Sequence, residues 1–102
     1  MYPAVEDLRP QLERICRRFG VRRLELFGSA SRGGFEPGRS DVDLLFELDP
    51  PPGIAYTDAF FGLREALEQL FGAPVDLVAL GSLRNPHFLA AIAPTRQLLY
   101  AA

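Results

Sequence analysis

The sequence predicts a small α/β (α+β) domain, a sheet of short strands with helices packed on it. Three observations carry that prediction. Apolar residues recur with helical spacing over 5–19 and again over 57–71. Short apolar-rich runs fall between and after them, at 22–27, 42–48 and 75–80. Glycine and proline clusters separate these runs at the places where one element must stop and the next begin. With 102 residues there is room for one compact domain, so 1–102 is read as a single unit.

The first helix, 5–19, places Val5, Leu8, Leu12, Ile15, Cys16 and Phe19 on one stripe. Pro10 is harmless in a first turn, whose N–H groups lack intrahelical partners, so the regular helix is expected to start nearer residue 7. Gly20 is its natural stop. In the strand at 22–27, Leu24 and Leu26 share a face. Residues 28–40 hold four glycines and one proline and read as a loop. The strand at 42–48, VDLLFEL, is apolar almost without interruption, as expected of a strand buried on both faces.

DPPPG at 49–53 forces an extended connection. The second helix, 57–71, carries a stripe of Phe60, Leu63, Leu67, Leu70 and Phe71. Phe61 falls beside that stripe, and it either widens the core face or marks a partner contact. Gly72 and Pro74 end the helix, and VDLVAL at 75–80 is the third strand. Asn85 followed by Pro86 reads as an N-cap and first helical residue of a short helix running to Ile92 and stopped by Pro94. QLLY at 97–100 is read as a closing edge strand.

Composition narrows the function classes. A net charge of −2 gives no basis for wrapping a nucleic acid. Cys16 is alone and lies on an apolar helical face, so it is read as a buried structural thiol. No run approaches the roughly 18 apolar residues that span a bilayer, and the first ten residues do not resemble a secretory signal; a cytoplasmic protein is expected.

The chemistry concentrates in LFGSASRGGFEPGRSDVDLLFEL, residues 26–48. In a strand, residues i and i+2 project to one face, so Asp41 and Asp43 point the same way. Asp76 opens the third strand between Val75 and Leu77, and it joins them if that strand lies beside the second. Carboxylates clustered among apolar neighbours are unfavourable unless something compensates. A divalent cation does so directly, since magnesium takes a few carboxylates and completes its shell with waters and substrate phosphates. Against this stands the plain alternative that an aspartate at a strand end is a cap or turn residue.

The glycine-serine loop shifts the balance. Gly28 allows a close backbone approach, and Ser29 offers a hydroxyl and an N–H to a phosphate. Arg32 suits a phosphate and equally suits the acidic cluster. Ser40 either orients Asp41 or forms a turn. His87, the only histidine, is read as an exposed residue of a helix's first turn.

Gly28-Ser29, Asp41-Val42-Asp43 and Asp76 together resemble the pattern of the DNA polymerase beta-like nucleotidyltransferase superfamily. The whole chain is similar to its minimal nucleotidyltransferase family, through the 22–48 block, VDLVALGSL and a C-terminal helix leading to LLY. The resemblance implies a mixed sheet flanked by helices with the acids at one end. It implies transfer of a nucleoside monophosphate, AMP from ATP, to a hydroxyl. Asp41, Asp43 and Asp76 would be catalytic and would hold two Mg²⁺ ions, with Mn²⁺ equally suited to oxygen ligands. Gly28 and Ser29 would bind the β- and γ-phosphates, with Arg32 and Ser40 as further nucleotide-binding residues. About 25 residues follow Asp76, so an open acceptor cleft or one completed by a partner is expected. The family pairs with HEPN proteins as antitoxin and toxin, and this implies a HEPN tyrosine as the acceptor. Two other readings stay open: an antitoxin that works by docking alone, and transfer to a small molecule.

Overall fold

The computed structural model describes residues 5–28 and 41–102. Among them are three α-helices and one four-stranded mixed sheet, with strand order β3-β2-β1-β4. In chain order the elements are α1 (Val5–Phe19), β1 (Val21–Phe27), β2 (Val42–Leu48), α2 (Tyr56–Phe71), β3 (Val75–Ala79), α3 (Pro86–Ile92) and β4 (Gln97–Ala101). β1 pairs antiparallel with both β2 and β4, whereas β2 and β3 run parallel. The parallel pair requires a crossover, and α2 supplies it.

α1 and α2 lie against each other and cover one face of the sheet. Leu12 and Cys16 of α1, and Leu63, Leu67 and Phe71 of α2, meet Leu24, Leu26, Val42, Leu44, Phe46, Val75 and Leu99 from all four strands. Leu8, Ile15, Phe19, Phe60 and Leu70 pack at the margin of this core. On the opposite face Phe27 and Leu45 are covered by Ile92 of α3. β2 thus buries Val42, Leu44 and Phe46 on its helix face, whereas on the other face only Leu45 is buried, between Asp43 and Glu47, so the burial on both faces expected from its apolar run is partial. Each of these leucines, fully buried, contributes about 1.5–3 kcal/mol.

The boundaries follow local chemistry. α1 begins at Val5 and not nearer residue 7, so Pro10 lies past the first turn and forgoes one intrahelical hydrogen bond. Gly20 turns the chain at φ +80°, its N–H bonded to the Cys16 carbonyl. A side chain there would collide with the carbonyl of Asp49, whose own N–H bonds to the Gly20 carbonyl at 2.8 Å. Gly72, at φ 65°, closes α2 by donating to the Glu68 carbonyl. The third strand ends at Ala79, one residue short of the expected limit, because Leu80–Ser82 wind into a 3-10 turn. The Asn85 side chain accepts from the N–H groups of His87 and Phe88, so the expected cap is present and His87 is exposed in the first turn. Phe61 is 60% exposed and packs edge-on against Phe60, so it does not widen the core face. No helix among the described residues is long and apolar enough to cross a membrane.

Candidate active site

β2 carries the site because its alternation divides its residues between two tasks. Val42, Leu44 and Phe46 face the helices and are buried in the main core. Asp43 faces the other way, on the side covered only partly by α3. The parallel register places Asp43 directly opposite Asp76 on β3. Adjacent strands are about 4.8 Å apart, so the two carboxylates leave the backbone as close neighbours on one face. Asp41, exposed at the mouth of β2, lies two residues before Asp43.

Two hydrogen bonds hold the acid-bearing ends of β2 and β3 in place. The N–H of Val42 donates to the Pro74 carbonyl at 2.9 Å. The N–H of Val75, immediately before Asp76, donates to the Glu68 carboxylate at 3.0 Å. The ends of β2 and β3 that bear the acids are thus fastened to each other and to α2.

Gly28 completes the arrangement. It leaves β1 at φ +81°, a conformation that L residues avoid. A Cβ at this position would come within 2.8 Å of the Asp43 Oδ2 atom. The space a side chain would occupy is filled by the carboxylate. The close approach that Gly28 makes here is to the Asp43 carboxylate. Its N–H donates to the Thr95 hydroxyl at 3.1 Å.

The electrostatics match the geometry. Burial, then repulsion from Asp76 and from Asp41, pushes the Asp43 carboxyl above its ordinary range. Such a site favours a bound cation. Among the described residues no three acidic, imidazole or thiol side chains converge closely enough to enclose a metal by themselves. The donors form an opposed pair with a third acid at the rim. That set suits a hard ion which takes one or two carboxylates and leaves its other positions to water and phosphate oxygens. Ser29, Arg32 and Ser40, the remaining residues expected at the site, lie outside the described residues.

Two groups near the site carry no signal in the sequence alone. Thr95 is buried and reaches Gly28 across 67 positions of chain. Glu25 on β1, only 3% exposed, accepts two hydrogen bonds from Arg96 at 2.9 and 2.7 Å and one from Arg23 at 2.8 Å. These guanidinium contacts, Arg96 first, hold the Glu25 carboxyl below its usual range despite burial. No i, i+2 or helical spacing relates Glu25 to Arg96 or Gly28 to Thr95.

A mixed sheet that opposes two aspartates across a parallel strand pair, beside a glycine turn, defines a nucleotidyltransferase core. The chain belongs to the nucleotidyltransferase domain family, whose sequence profile matches residues 8–99. It is 43% identical over 68 residues to protein adenylyltransferase MntA of Thermococcus cleftensis, a match covering 67% of this chain and 65% of that protein's length. It is 32% identical over 89 residues to MJ0128 of Methanocaldococcus jannaschii, also named as a protein adenylyltransferase, covering 86% of this chain and 87% of that one. Among solved structures, a minimal nucleotidyltransferase superposes with a TM-score of 0.64 at 32% identity, over 93% of this chain and 95% of the other. A Shewanella oneidensis MNT antitoxin, solved in complex with a tri-AMPylated HEPN toxin, shares the fold at 18% identity and a TM-score of 0.58, over 96% of this chain and 73% of the other.

Proposed function

We propose that this chain transfers AMP from ATP to a hydroxyl group of a partner protein, a tyrosine of a HEPN toxin, and silences that toxin as its antitoxin. The observation that carries the proposal is the register pairing of Asp43 with Asp76 beside the Gly28 turn. The two relatives named as protein adenylyltransferases support it, as does the AMPylated HEPN toxin bound to a structural neighbour. A further neighbour, a toxin-antitoxin complex, was solved with the ATP analogue AMP-PNP.

In this reading the turn at Gly28 and Ser29 receives the β- and γ-phosphates, with Arg32 and Ser40 assisting at the nucleotide. Asp41 and Asp43, at the triphosphate end of the site, would hold two Mg²⁺ ions, or Mn²⁺ in their place. The bound ions supply charge neutralisation of the triphosphate and a lowered pKa of the acceptor hydroxyl. Asp76 completes the second metal position and draws the proton from the acceptor. The acceptor oxygen forms a bond to the α-phosphorus, the bond from that phosphorus to the α–β bridging oxygen breaks, and pyrophosphate leaves with the electron pair. The chain's own contribution is positioning and a fixed electrostatic field, which is what phosphoryl-group chemistry chiefly requires.

The test is incubation with α-labelled ATP and Mg²⁺, with and without a candidate HEPN partner protein. Label should move onto the partner and should vanish with Asp43→Asn. A stable complex without label transfer would overturn the catalytic reading in favour of an antitoxin that docks. Transfer only to a small-molecule hydroxyl would overturn the proposed acceptor.

A further inference from the structure

Thr95 lies in a 3-10 turn, Ala93–Thr95, between α3 and β4, and only 8% of it is exposed. Its hydroxyl accepts the Gly28 N–H at 3.1 Å and donates to the Ile92 carbonyl at 2.7 Å. A hydroxyl has one proton to give, so the bond to Ile92 commits that proton and turns an oxygen lone pair toward Gly28.

The turn is anchored to β1 on both sides of Thr95. On one side Ile92 packs with Phe27 and Leu45, and the Phe88 ring meets the Phe27 ring edge-on at 6.3 Å. On the other side Arg96 forms two hydrogen bonds to the buried Glu25 carboxylate. Residues 92–96 therefore form a brace along the last positions of β1, and the Thr95 hydroxyl is its contact with the residue where β1 ends.

We infer that Thr95 is a positioning residue for nucleotide transfer, which holds Gly28 in its left-handed turn against the Asp43 carboxylate and so presents the phosphate-binding turn to the acids. The inference rests on the function proposed above. A tie of purely structural purpose could fall anywhere along β1. This one falls on the residue whose missing side chain makes room for a catalytic acid. Loss of the tie loosens the turn that meets the phosphates and weakens ground-state and transition-state binding alike, so KM for ATP rises more than kcat falls.

The experiment compares wild type, Thr95→Val and Thr95→Ser. Valine keeps the shape and removes both hydrogen bonds, whereas serine keeps the hydroxyl. Label transfer from ATP is measured over a range of ATP concentrations, and exchange of the Gly28 amide proton is followed by NMR. Thr95→Val should raise KM for ATP about tenfold, as loss of one well-placed hydrogen bond implies, and should speed Gly28 exchange. Thr95→Ser should restore both. Wild-type KM in Thr95→Val overturns the inference, as does an equal loss in Thr95→Ser. Should Thr95→Val fail to fold, Thr95→Cys, whose thiol bonds only weakly, takes its place with the same expected direction. A wild-type chain that moves no label defeats the transferase reading separately. Affinity for AMP-PNP with Mg²⁺ then decides on Thr95: weaker binding in Thr95→Val with recovery in Thr95→Ser sustains the inference, and equal or absent binding in all three proteins overturns it.

Discussion

Replacing Gly28 with alanine strikes the backbone and the acid pair at once, and the structure sets the size of each effect. At φ +81° an L residue costs about 1–2 kcal/mol. In a domain of this size each kcal/mol lowers Tm by roughly 4–8 °C, so a fall of about 5–15 °C is expected. The added Cβ would lie 2.8 Å from Asp43 Oδ2, and the oxygen must retreat by about 0.6 Å to regain an ordinary contact of 3.4 Å. Across the strand pair Asp43 is opposed by Asp76, whose charge already repels it. Reactions that depend on placement lose on the order of 10²-fold for a displacement near 1 Å, so transfer should fall by about 10- to 100-fold. The assay pairs a thermal melt with single-turnover label transfer at saturating ATP, below the melting range of both proteins. A lower Tm with an unchanged rate per folded molecule would refute the link between the Gly28 turn and Asp43.

Three further outcomes follow from the same coordinates. Asp43→Asn removes a charge that burial and two neighbouring acids disfavour; in urea with EDTA its stability should equal or exceed that of wild type by up to about 1 kcal/mol, while transfer is lost, and a large loss of stability would make the acid structural. Arg96→Met leaves Glu25 buried with only the partly exposed Arg23 beside it, at a cost of about 2 kcal/mol. Because the folded-state pKa of Glu25 is lowered, chiefly by Arg96, that contribution is full above the usual carboxylate pKa and fades as pH falls through the lowered value. The gap between wild type and Arg96→Met in urea melts should therefore be constant near neutrality and shrink in acid below about pH 4.5. The Cys16 thiol, pushed up to about 12 mainly by burial, should resist alkylation at pH 8 and react only as fast as the protein opens, which titration with a thiol reagent across a urea series will read.

What could be read in the sequence was whatever local spacing encodes. The helical stripes of α1 and α2 and the cap at Asn85 each depend on residues within a few positions of one another. Asp76 was legible only conditionally. Its place opposite Asp43 requires β3 to lie beside β2, and no local pattern reveals which strands become neighbours. Leu80 follows an apolar run and reads as strand, but the next residues close a 3-10 turn, with the Ser82 hydroxyl on the Ala79 carbonyl. Glu25 has the polar-outward alternation of a solvated strand face. Its burial is offset chiefly by Arg96, 71 residues away. Thr95 looks like any threonine after a proline, and its role emerges from a single contact that closes most of the chain into a loop.

The same long-range closures bear on how the protein is made. β1, with Glu25, and the Gly28 turn leave the ribosome well before the groups that brace them, since Thr95 lies 67 residues after Gly28 and Arg96 lies 71 after Glu25. Asp43 likewise waits for Asp76 beyond the whole of α2. A nascent or interrupted chain that stops before residue 92 has its acids but no brace and no fourth strand against β1. The Gly28 turn and Glu25 are thus braced only once residues 92–96 have been made.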